Sequence, residues 1–199
     1  MKLFVRFCGV AILVGLLHIA SAEAISVSVN PTAQNVHLGN STSVDILISG
    51  LGSEVVAAFD FDLTYDDAII TATGVNFGPY LGDGLPNSFQ SFVLSPGMVD
   101  VAEVSLLSDA DLDLLQPDSF ALATILFDTL AVGESDLTLI LGTTAPNDIK
   151  GRRNQVLQLD VFDGQITVSQ TPEPGTIALF GTGLIGMLGY GWYRRKDEA

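Results

Sequence analysis

The sequence predicts an all-β sandwich of about nine short strands, set between two apolar ends. Three observations carry that prediction. From Val55 to Tyr65 apolar and polar residues alternate: Val55, Ala57, Phe59, Phe61, Leu63 and Tyr65 fall on one face, Asp60, Asp62 and Thr64 on the other. A helix with that order would turn carboxylates into the core, so the stretch demands a strand with one wet face. Turn-forming clusters punctuate the chain at Gly50-Leu51-Gly52, Gly82-Asp83-Gly84, Ser95-Pro96-Gly97 and Pro146-Asn147-Asp148. Between residues 25 and 170 no stretch keeps a helical period.

In chain order, Lys2 and Arg6 form a basic start before the apolar run Phe7 to Ile19. Ala20-Ser21-Ala22 and Ala22-Glu23-Ala24 then offer the small-x-small pattern read by signal peptidase. Residues 1–24 are therefore expected to be a signal peptide, removed after Ala22 or Ala24; an uncleaved anchor is the alternative, for which the run is short. Ile25 to Val29 alternates and stops at Asn30-Pro31. Ser43 to Ser49 follows the Gly39-Asn40 turn with Val44, Ile46 and Ile48 on one face. Ile69 to Phe77, Met98 to Leu107, Phe120 to Leu130 and Leu137 to Thr143 read as further strands. Val156 to Val168 reads as two more, split by Asp163-Gly164, which predicts a hairpin turn.

After residue 170 the composition changes. Pro172-Glu173-Pro174 precedes an uncharged run from Gly175 to Tyr193, closed by Arg194-Arg195-Lys196. As a helix this run would reach roughly 28 Å, close to the thickness of a bilayer's hydrocarbon core. Its glycines suit a membrane helix better than a soluble one, and Tyr190, Trp192 and Tyr193 sit where an aromatic belt would meet headgroups. The basic cluster is a stop-transfer signal expected to stay cytoplasmic. A single transmembrane helix over 175–193 is expected.

Composition bounds the chemistry of the body, residues 25–170. It holds no cysteine, so no disulfide framework or thiolate chemistry, and His37 is its only histidine. Nineteen acidic residues face Lys150, Arg152 and Arg153, for a net charge of −16. Such a surface repels nucleic acid and anionic headgroups. It reads either as solubilising charge or as capacity for divalent cations.

Pro-Glu-Pro, a short Gly-rich span and a basic cluster, in that order over Thr171 to Lys196, resemble the PEP-CTERM sorting tail of Gram-negative bacteria. The resemblance implies a sorting motif of Pro172, Glu173, Pro174, Arg194, Arg195 and Lys196. It also implies processing by an exosortase, export across the inner membrane with the helix anchoring the chain in transit, and delivery to the outer surface or an exopolysaccharide matrix. An ordinary single-span anchor is the plainer alternative. The body carries a second resemblance. Gly39 with the strand Ser43 to Ser49, Ala58 to Asp66, Phe77 to Gly82, Phe120 to Leu130 and the closing Asp163 to Val168 look, in order, like a cohesin domain. Cohesins are jelly-roll modules that bind dockerins and share their fold with some carbohydrate-binding modules. Where cohesins often have Pro after the Tyr-Asp pair, this chain has Asp67. The resemblance implies a jelly-roll sandwich at 25–170 and a dockerin-like protein, or a polysaccharide, as its partner.

Candidate sites follow. Asp60, Asp62 and Thr64 form a partner-binding face, since the resemblance puts their strand in the sheet that cohesins present to a dockerin; a solvated sheet face is the alternative. Two acids at i and i+2 on an open sheet do not make the differentiated pair that glycoside hydrolysis needs, and no enzyme is expected. Asp109, Asp111 and Asp113, with Asp118, offer hard oxygens for Ca²⁺. An EF-hand is excluded, because Leu114 stands where its glycine is needed and Phe120 where its bidentate acid is needed. A solvated acidic loop without cofactor is the other reading. His37 reads as a surface residue, and the three cations form a spot suited at most to acidic polysaccharide. The expected role is structural or adhesive in a surface or biofilm matrix, with a carbohydrate- or protein-binding module as the alternative.

Overall fold

The computed structural model describes residues 24–141 and 148–170, with 180, 182–185 and 187 in the C-terminal stretch. The alternation around Phe61 is realised directly: Phe59, Phe61 and Leu63 are buried, while Ala58, Asp60, Asp62 and Thr64 are not. In chain order the strands are β1 (Ser26–Asn30), β2 (Ala33–His37), β3 (Ser41–Ser49), β4 (Ala58–Thr64), β5 (Ile70–Phe77), β6 (Ser88–Ser95), β7 (Met98–Ser105), β8 (Phe120–Thr129), β9 (Gly133–Ile140), β10 (Ile149–Lys150), β11 (Asp160–Phe162) and β12 (Gly164–Ser169). One helix, α1 (Asp109–Leu115), lies between β7 and β8.

The strands form a two-sheet jelly-roll sandwich. The first sheet runs β11-β1-β3-β8-β5; the second runs β2-β12-β9-β4-β7-β6, with β10 added beside β4. Inward residues from both sheets build one core: Val27, Ile46, Ile48 and Phe127 from the first, Phe61, Leu63, Val101 and Ile166 from the second. Tyr65 meets Phe127 edge-on at 5.4 Å, and Phe59 stacks on Phe61 at 5.6 Å. Each such side chain contributes about 1.5–3 kcal/mol by leaving water.

Among the described residues there are twelve strands against the nine expected, and the three added lack a clear period. β2 and β6 are edge strands partly wet on both sides, and β10 has two residues. The expected hairpin at Asp163-Gly164 is corrected. β11 pairs with β1 in the first sheet, whereas β12 pairs with β2 and β9 in the second. All three residues of β11 are exposed, so this arm has no buried face to lay against β12. The chain instead crosses between sheets here. Asp163 Oδ1 accepts from Leu139 N–H at 2.9 Å, and a Cβ on Gly164 would stand 2.6 Å from Val29 Cγ1. β1 and β2 cross alongside, where Gln165 N–H donates to Thr32 O at 2.9 Å.

The acidic stretch after Ser108 is a helix rather than a loop. Ser108 caps it, accepting from Asp111 N–H and donating to the Asp111 carboxylate at 2.6 Å. Seven residues burying only Leu112 are too few for a legible period. Residues 180, 182–185 and 187 are helical, with Phe180, Leu184, Ile185 and Met187 exposed. Among the described residues no helix is long and apolar enough to cross a membrane. Residues 1–23 of the expected signal peptide, Pro172 to Pro174, Arg194 to Lys196 and most of the expected span lie outside the described residues.

Candidate functional site

The outer face of the second sheet is where the exposed chemistry gathers. The β4 pleat turns Asp60, Asp62 and Thr64 outward, as predicted. Antiparallel pairing then sets Ala102, Asp100 and Met98 of β7 opposite them. On the other side β9 sets Ile140 opposite Asp62 and Thr138 opposite Thr64. On β6, Val93 lies opposite Asp100 and Phe89 opposite Val104. Three carboxylates therefore stand on neighbouring strands, flanked by Phe89, Val93, Val104 and Ile140, which are 59%, 55%, 47% and 44% exposed.

The carboxylates feel each other. Partial burial pushes the Asp60 carboxyl up from its ordinary range, Asp100, Asp62 and Asp148 push it further, and Lys150 opposes them. Lys150 is held by Asp148 at 3.7 Å, the latter buried just before β10. The arrangement suits a partner surface with cations set among apolar groups, since each carboxylate has an apolar neighbour across the ladder. Asp100, Val104 and Ile140 join these residues only through the fold, although the alternation of Met98 to Leu107 places Asp100 on the wet face. Phe89 and Val93 carry no such signal, because β6 has no period of two in its sequence.

The other candidates are dispersed. Asp113 accepts from Arg152 Nη1 at 2.9 Å and is ion-paired with it, which holds its carboxyl below the usual range. Asp111 is engaged with Ser108, and Asp118 accepts from Gly52 N–H at 2.7 Å. Among the described residues no group of three or more His, Cys, Asp or Glu is placed to hold a metal ion. His37 is exposed at the end of β2, with Nδ1 3.0 Å from Ser169 Oγ. Of the basic residues, Arg152 is tied to Asp113 and to Ser53 O, Lys150 faces Asp148, and Arg153 is exposed.

Comparison with known proteins bears on the sorting tail and on the fold. Residues 170–196 match the family described as PEP-CTERM protein-sorting motif. No curated protein matches the chain. Among solved structures, the seventh ScaB type I cohesin of Pseudobacteroides cellulosolvens is 23% identical, with a TM-score of 0.58 over 76% of this chain and 96% of its own. The CaCohA2 structure from Clostridium acetobutylicum is 21% identical, with a TM-score of 0.59 over 74% and 92%. A type I cohesin–dockerin complex from Clostridium thermocellum gives 11% and 0.59 over 74% and 100%. The chain is a cohesin-like jelly-roll sandwich followed by a PEP-CTERM sorting motif, which implies export and exosortase processing.

Proposed function

We propose that this protein is an exported, non-enzymatic binding module that its sorting tail delivers to the cell surface or surrounding matrix. There it holds a dockerin-like protein on the outer face of β9, β4, β7 and β6. The observation that carries the reading is the cluster of Asp60, Asp62 and Asp100 within a rim of exposed Phe89, Val93, Val104 and Ile140. An apolar patch broken by fixed charges is the anatomy of a protein interface rather than of a merely soluble face. The adhesive role follows if the partner belongs to the matrix.

A photoreactive residue at Val104, with one at Ser43 on the first sheet as control, tests this in the exported chain on cells. The expected result is a discrete crosslinked partner from position 104 alone, lost when Asp62 and Asp100 are both changed to Lys. Equal crosslinking from both positions sinks the reading. A second reading, polysaccharide binding, draws on exposed Phe162 on β11, beside Ser26, Ser49 and Asp160 around an open cavity of about 280 Å³. Loss of glycan retention on Phe162→Ala would favour it.

A further inference from the structure

β6 is the outermost strand of the second sheet, and among the described residues it pairs only with β7. Such an edge carries alternate backbone N–H and C=O groups pointing away from the sheet, ready for another strand. Folded proteins usually blunt it with charge, proline, a bulge or brevity. The other edges here are blunted in that way. β11 has three residues, β2 has five, and β5 is broken by a register shift between Ala72 and Gly74. Within its own span β6 has none of these devices, its prolines Pro86 and Pro96 lying outside the strand. It runs eight residues in unbroken register, and no charged residue occurs from Gly84 to Val99. Phe89 and Val93 are exposed toward one side of the sheet, Phe92 and Leu94 toward the other.

We infer that β6 is a pairing site for a second copy of this chain, which joins antiparallel across a two-fold axis and extends the second sheet through both molecules. Charge selects that occupant. The body is strongly acidic, so a basic partner gains most at the carboxylate face, whereas a neutral edge accepts a strand as neutral as itself. The strand itself adds no charge to the repulsion between two such bodies. Across three strand spacings, two Asp100 carboxylates would stand about 14 Å apart, beyond the roughly 8 Å screening length of physiological salt. The two-fold keeps outward side chains on the outward side, so residues of like parity meet, as when Phe92 faces its own symmetry mate. β5 reinforces the contact. Its Phe77 ring lies 6.4 Å from Phe92, and an open groove of about 660 Å³ runs between the two strands. A contact about 27 Å long spanning both edges covers roughly 1,100 Å² over the two copies, the lower end of specific interfaces. The association is therefore weak and concentration-dependent. It does not depend on the partner assigned to the carboxylate face.

The cysteine-free body makes the test clean. In the full exported chain carrying Cys8→Ser, Phe92→Cys is compared with Ser43→Cys under mild oxidation on non-reducing gels. Phe92→Cys should form a disulfide-linked homodimer at least tenfold faster. In a sedimentation concentration series the unmodified chain should shift from monomer to dimer, and Ser91→Lys, which removes no packing, should hold it monomeric with an unchanged melting temperature. Equal crosslinking rates, a dimer indifferent to Ser91→Lys, or crosslinking of Phe92→Cys to a different protein without homodimer would each overturn the proposal.

Discussion

Glu103 points inward from β7 and is fully buried between the sheets. Its Oε1 accepts from Gln90 Nε2 across the β6–β7 ladder at 2.9 Å, while Oε2 is unpartnered among the described residues. Burial pushes this carboxyl up, with hydrogen bonds from Gln90 and Ser88 opposing in part. A folded-state value above the unfolded one means that the fold prefers the protonated acid. Stability is then greatest below the ordinary glutamate range and falls as pH rises through the raised value. Glu103→Gln keeps a neutral, hydrogen-bonding side chain at that position. It should match the wild type near pH 4 and melt higher near pH 8, read by thermal unfolding across that range. A lower melting temperature at pH 8 would show that the carboxylate is stabilising after all.

Two connections show what elements require beyond their own pattern. At the crossing from β11 to β12, Gly164→Ala would drive a methyl group into Val29, and the clash should cost about 1–3 kcal/mol in chemical denaturation. After α1, Gln116 accepts from Val56 N–H at 2.8 Å and donates to Val56 O and Tyr80 O at 2.7 and 3.0 Å. Val56 is fully buried, so Gln116→Ala strands its backbone and should destabilise by about 1–3 kcal/mol, while Gln116→Glu should recover only part of the loss. The sequence made such strands as β4, β3 and β7 legible, because one buried face imposes a period of two on the residues themselves. It did not reveal β6 or β2, where partial wetting on both sides removes the period, nor the partners of β11 and β12. Pairing depends on which sheet a strand joins, and no local pattern near Asp163 encodes that choice. The carboxylate face was legible for the same reason as β4, and its apolar rim was hidden with β6.

At the scale of the whole molecule, the proposed function gives the cohesin-like body and the sorting motif separate tasks. Changing Pro172, Glu173 and Pro174 together to Ala should leave the melting of the body unchanged while the chain accumulates untrimmed in the inner-membrane fraction, as judged by fractionation and immunoblotting. Normal trimming would remove the motif's assigned role. Under that function the body is held at one end and has to withstand it. Its last strand, β12, leads toward the sorting motif and lies between β2 and β9, five residue pairs in register on each side. A pull on the tail along that strand would load both ladders in shear, so the bonds must fail together instead of peeling open one at a time. Single-molecule extension through residue 170 should therefore need a markedly higher force than extension across the lone ladder of β6, giving an anchor that resists being torn away by flow.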